Sequence, residues 1–338
     1  VVAVTELPYI AALPKVELHV HLETSLRLRR LLRRRDPDIP LIGQPHLVAD
    51  PSRFAGYDRL RRLRYAERAN RLPDAAYTRA SIAAITAELI AEASAQSVRH
   101  IEVRAGGRRA FSVLGVRGML EAMAEGAGES RRLGLSYGTV VTVIRERGPE
   151  EADRIIAEAV AASGCAVVGV DLAGDEENYP VALFSAPIAR ARDAGLGITV
   201  HAGEFAGPAG IWAAVYQLGA TRIGHGIRAI EDPALLDRLR ERGVALEICP
   251  TSNLRLGLVS SLSAHPVGAL LNQGVPVTIN SDDPVMLGTT LTGELACIAR
   301  VHRLGPDTLG NLQVTAARAA FLPAGERESL EQTIRLKS

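Results

Sequence analysis

The chain has 338 residues, of which 47% are hydrophobic and 23% charged, the make-up of a globular protein with ample material for a core. A formal net charge of +1 provides no bulk attraction to nucleic acid or to an anionic membrane. No run reaches the ~18 apolar residues of a membrane span, and Cys165, Cys249 and Cys297 are too few and too scattered for a disulfide framework or a CxxC zinc site. Reduced cysteines fit a cytoplasmic protein, and residues 1–18 lack the basic n-region of a signal peptide. The basic side is almost all arginine, Lys15 and Lys337 being the only lysines.

Residues 15–22, KVELHVHL, alternate polar and apolar and predict a first strand. Residues 24–35 predict a helix capped by Thr24 or Ser25. A proline-bearing loop then runs over 36–52, a polar helical segment over 54–70, and a longer helix from about Asp74 to Gln96. From there strand-like segments alternate with helical ones, at 97–105, 135–144, 166–174, 197–203, 221–226, 244–250 and 276–283. Eight such alternations without a composition break predict one domain over 1–338, an α/β chain folded as a (β/α)8 TIM barrel with a helical insertion after the first strand. A dinucleotide fold would want a glycine-rich turn after that strand, where this chain has His-Leu-Glu-Thr-Ser.

The chemistry-bearing residues cluster at the C-terminal ends of the strands, the face on which barrel active sites form. His19 and His21 are two apart, so both side chains face one side. With His201 and Asp282 they offer three imidazoles and a carboxylate, an open set suited to one catalytic zinc, which lowers the pKa of its water to roughly 7. Iron, nickel and manganese accept the same donors. Glu204, just beyond His201, is placed to move protons at such a site, and His225, between two glycines, to handle the water. Asp283 follows Asp282 and faces the other way, toward a substrate hydrogen bond or the cap of the next helix. A lone histidine in a strand is more often a core residue; the set of strand-end residues argues for a site. The arginines between Arg27 and Arg71 read as a solvated helical face, or more sharply as a lid meeting an anionic part of a substrate. His46, His100, His265 and His302 fall outside the pattern and receive no role.

The segments PKVELHVHLE, EVR, VVGVDLAGDE, HAGE, GHG, CPTSN, HP and SDDP occur in an order that resembles the adenosine deaminases, over about residues 13–320. The resemblance implies a zinc barrel of the amidohydrolase superfamily that hydrolyses the 6-amino group of a purine nucleoside and releases ammonia. Carried over position by position, His19, His21, His201 and Asp282 resemble the zinc ligands. Glu204 resembles the residue that protonates ring N1, and His225 the residue that orients and deprotonates the attacking water. Gly174 resembles the backbone contact to N3 and Asp283 the contact to N7. Glu23 stands where the family's acid meets the ribose 5′ hydroxyl.

Two departures bear on the substrate. The family usually reads HLDG or HLEG after the histidine pair, and this chain has Glu23-Thr24; after EVR it has Ala105-Gly106-Gly107. Both touch the sugar and lid side of the pocket, so 5′-modified adenosines stand beside adenosine as expected substrates. The alternatives are a deaminase of another aminated heterocycle, or a non-catalytic nucleoside-binding protein, which would need neither Glu204 nor His225.

Overall fold

In the computed structural model, which describes residues 8–35, 72–106 and 108–336, eight parallel strands hydrogen-bond in sequence order. They are β1 (Lys15–His21), β2 (Val98–Ala105), β3 (Ser136–Ile144), β4 (Val167–Ala173), β5 (Gly197–Ala202), β6 (Arg222–His225), β7 (Ala245–Ile248) and β8 (Val277–Ile279). The first half of the chain carries the helices α1 (Pro8–Ala12), α2 (Thr24–Arg35), α3 (Arg79–Ala95), α4 (Arg108–Gly126), α5 (Gly148–Ala161) and α6 (Ser185–Asp193). The second half carries α7 (Pro208–Ala213), α8 (Pro233–Arg242), α9 (Pro250–Arg255), α10 (Val267–Asn272), α11 (Pro284–Leu287), α12 (Leu291–His302), α13 (Pro306–Ala319) and α14 (Ala324–Arg335). This is the expected (β/α)8 barrel, and each strand falls within the segment read for it.

The sheet closes through a residue past the end of β8. Asp282 forms a parallel bridge with Val20, donating its N–H to the His19 carbonyl (2.9 Å) and accepting from the His21 N–H (2.8 Å). The last strand is accordingly shorter than the 276–283 expected. Asp282 adopts a left-handed φ of 60°, so the strict alternation assumed for Asp282 and Asp283 does not apply.

Alternation along β1 sorts the two faces. Val16 and Leu18 pack outward in a cluster with Val314, Ala317, Leu330 and Ile334 of α13 and α14, while Glu17 and His19 are buried with the other polar side chains. Gln313 on α13 accepts the Val16 N–H at 2.9 Å. Between β1 and β2 stand α2 and α3, joined by ion pairs from Arg27 (2.8 Å) and Arg30 (3.1 Å) to Glu92 and from Arg34 (2.8 Å) to Glu88. Those arginines face α3 carboxylates; the loop and helix expected over 36–70, and His46, lie outside the described residues. The helix read from Asp74 begins later. Thr78 and Ser81 form a reciprocal capping box that starts α3 at Arg79, leaving Asp74–Ala76 as a separate turn. Cys165, Cys249 and Cys297 are free. Among the described residues no helix is long and apolar enough to cross a membrane.

Candidate active site

Six of the side chains singled out in the sequence converge at the C-terminal mouth of the barrel. One nitrogen from each of His19, His21 and His201 lies within 4.8 Å of the others. Asp282 Oδ1 stands 3.4 Å from His21 Nε2 and 3.6 Å from His19 Nε2. His225 Nε2 lies 3.5 Å from Glu204 Oε1 and 4.0 Å from Asp282 Oδ2. All are buried except His21, whose side chain is 17% exposed.

Two imidazoles are held from behind. His19 Nδ1 meets Glu247 Oε2 at 3.0 Å and His201 Nδ1 meets Asp171 Oδ1 at 2.9 Å. A carboxylate accepting from Nδ1–H fixes the tautomer that leaves the Nε2 lone pair free for a metal. His19 Nε2 is buried without a hydrogen-bond partner, a costly state unless something else binds it. Burial pushes His19 well below the ordinary histidine pKa, and lowers His21 and His225 to about 3. For Asp282 burial acts to raise the pKa, but His225 and His21 outweigh it and the carboxyl is held low. Neutral imidazoles beside an ionised carboxylate are in the form a metal binds. Cys249 makes a second grouping with His19 and His225. Burial, aided by Asp282 and Glu17, pushes its thiol well above the usual range, so the three-histidine set is better prepared.

Glu204 sits on the turn after β5. Glu176 accepts from the N–H groups of Gly203 (2.7 Å), Glu204 (3.1 Å) and Phe205 (3.2 Å), fixing that turn. On the far side of His225, Nδ1 meets Asn253 Nδ2 at 3.2 Å, and Asn253 Oδ1 meets His265 Nε2 at 3.1 Å. Val267 N–H donates to His265 Nδ1 at 3.1 Å.

The residues expected on the substrate side are spread around this centre. Gly174, just past the end of β4, has φ 118°, a conformation that L side chains rarely adopt, and a Cβ there would also crowd Glu146 and the Arg145 N–H, so the position favours glycine. Glu23 turns its carboxylate to the start of α11, accepting from Val285 N–H (2.8 Å) and Met286 N–H (2.6 Å). Asp283, directly before α11, makes no capping bond to it with its side chain. The capping role falls to Glu23.

Asp171, Glu176, Glu247, Asn253 and His265 received no role from the sequence. Asp171, Glu176, Asn253 and His265 all lie inside quoted motifs; for Asp171 and Glu247 a charged residue in an apolar strand was the available signal. His100 is spent on Glu102 (3.3 Å), and His302 on the Leu262 carbonyl (3.0 Å).

The family model described as adenosine deaminase matches residues 14–337. An adenosine deaminase of Shigella flexneri is 33% identical over 336 residues, covering 96% of this chain and 98% of its own. One from Serratia proteamaculans is 42% identical over 223 residues, 66% of this chain and 67% of its own. The crystal structure of adenine deaminase from Arthrobacter aurescens superposes with a TM-score of 0.83 at 26% identity, covering 96% of this chain and 99% of that one.

Proposed function

Since the chain belongs to the adenosine deaminase family and is a hydrolytic deaminase, we propose that it removes the 6-amino group of adenosine or a 5′-modified adenine nucleoside with the help of one zinc ion. The observation that carries this reading is Glu204 and His225, 3.5 Å apart, beside three clustered histidines of which one has an unpartnered buried Nε2. His19, His21, His201 and Asp282 would hold the ion. When bound, zinc supplies a water activated near neutral pH and a counter-charge for developing negative charge.

The chain's own residues account for the rest. Glu204 delivers a proton to ring N1, which makes C6 electrophilic. His225 and Asp282 orient the water on the face of the ring they share. Addition at C6 gives a tetrahedral carbon; Glu204 then helps transfer the water's proton to the amine, and ammonia leaves. The N–H of Gly174 is assigned to N3 and the Asp283 carboxylate to N7. Glu23 is assigned to the 5′ side, where its oxygens already serve two α11 N–H groups. A contact that is partly committed before substrate arrives is weaker for a 5′ hydroxyl, which is why the reading extends to other 5′ groups.

The test is ammonia release, with its ultraviolet change, from zinc-loaded protein. The panel holds adenosine, 2′-deoxyadenosine, 5′-deoxyadenosine, methylthioadenosine, aminodeoxyfutalosine, AMP and adenine. Preference for one adenine nucleoside supports the reading and identifies the 5′ group; silence on all of them with zinc bound overturns it in favour of another aminated heterocycle. Glu204→Gln should bind zinc as wild type does and lose roughly 100-fold or more in kcat. Full activity in that variant would remove Glu204 from proton transfer.

A further inference from the structure

Whether His225 gives or takes a proton depends on which ring nitrogen carries its hydrogen, and that is set by what the other nitrogen meets. Side-chain amides and imidazoles can each be drawn two ways, but this chain of contacts ends on an atom whose role is fixed. The Val267 backbone N–H is a donor, so His265 Nδ1 accepts. A neutral His265 then carries its hydrogen on Nε2, and the Asn253 atom facing it must be the acceptor Oδ1. That turns the Asn253 amide N–H toward His225 Nδ1, which therefore accepts as well. The hydrogen of His225 is left on Nε2, the nitrogen that faces Glu204 and Asp282.

We propose that Asn253 and His265 are positioning residues that hold His225 as the Nε2–H tautomer, so that it donates a hydrogen bond to the attacking oxygen and does not take that oxygen's proton. The reverse arrangement has no satisfied form. Rotating the Asn253 amide would make His265 accept at both nitrogens, which leaves the ring with no hydrogen at all. A doubly protonated His225 demands the same rotation and fails for the same reason. Asn253 is 0% exposed, His225 2% and His265 3%, so bulk water is not at hand to fill an unmatched position. Burial lowers His265 to about 4, which keeps it neutral near physiological pH. With His225 committed to donation, the water's proton goes to a carboxylate, Glu204 or the Asp282 oxygen that faces His225.

This deepens the reading of the same site and rests on it for its role in turnover. The tautomer itself is measured on the zinc-loaded protein labelled with 15N-histidine, by two-bond 1H–15N correlation, with the His225 signals assigned by their loss in His225→Gln. The expected spectrum shows His225 with a bare Nδ1 and a protonated Nε2. Asn253→Asp keeps the shape but offers only acceptors, so it should draw the hydrogen to Nδ1 and lower kcat by about 100-fold, with KM changed several-fold at most and zinc content equal to wild type. His265→Gln retains a distal N–H for Asn253 and should keep the wild-type tautomer and most of kcat. A wild-type spectrum with the hydrogen on Nδ1 overturns the proposal, as does Asn253→Asp with an unchanged tautomer and kcat. Where a variant fails to fold, the wild-type spectrum alone decides. Silence on the substrate panel would sink the deaminase reading while leaving this spectrum as the test of the tautomer.

Discussion

A methyl group on Gly224 would sit 3.1 Å from His201 Nδ1 and 3.2 Å from His19 Cε1. Asp171 and Glu247 bond the Nδ1 atom of each ring, so a ring that gives way to the methyl strains that bond. Gly224→Ala should therefore displace both imidazoles by a few tenths of an ångström and weaken zinc binding by about 10-fold or more, the range seen when ligand-orienting contacts are lost. Competition against a chelator of known affinity measures it, and an unchanged zinc affinity would mean the rings have slack the packing does not suggest. The histidines and acids were legible in the sequence because they stand at strand ends, where a polar residue breaks an apolar run. The orientation of Asp282 was not: its left-handed φ comes from closing the barrel on Val20, a contact far apart in the chain. Glu23 was placed by resemblance at the sugar, yet its observed partners are backbone N–H groups of α11, which no local pattern announces.

Among the elements, the short helices α9 and α11 escaped the reading because neither is long enough to show a 3.6-residue period. They are held by carboxylates from elsewhere. Glu23 caps α11, and Glu294, in the first turn of α12, accepts from the Thr251 N–H of α9 at 2.9 Å and from the Thr289 hydroxyl. Burial raises Glu294 to about 7, against the pull of those hydrogen bonds. A carboxyl whose pKa rises on folding binds its proton more tightly in the native state, so stability falls as pH climbs from the unfolded value near 4.5 to about 7, then levels. The loss is about 3 kcal/mol at most for this group. Glu17, raised to about 8 by burial, adds a slope of the same sign. Glu294→Gln should thus flatten part of the decline in denaturation midpoint between pH 5 and 7, roughly the window set by the two pKa values. Parallel wild-type and variant curves across that window would show that Glu294 is ionised in the folded protein throughout.

Across the whole molecule, the barrel interior is organised by charge. Strand alternation turns these residues inward, but how they connect was not legible in the sequence, because each link joins strands that are distant in sequence. Arg104 on β2 is buried and reaches Asp171 on β4 (3.1 Å) and Glu247 on β7 (2.5 Å). Arg222 on β6 pairs with Glu247 (2.7 Å) and with Glu102 (2.5 Å). Burial acts to lower the Arg104 pKa, yet Glu247 and Asp171 hold it above the ordinary arginine value. The same two carboxylates orient His201 and His19, so one guanidinium supports both the frame and two of the site's imidazoles. Arg104→Leu leaves Asp171 without its guanidinium partner and Glu247 with Arg222 alone, a loss of about 3–5 kcal/mol for breaking one side of a buried ionic cluster. If the cluster only supported the frame, the loss would be equal with and without metal. Because it also aims the histidines, the variant should bind zinc more weakly, and a ligand that binds the native state less tightly stabilises it less. Urea unfolding at fixed zinc should then show a larger deficit for Arg104→Leu than the same experiment in chelator. Equal deficits would reduce Arg104 to a structural role and leave the aim of His19 and His201 to their carboxylates alone.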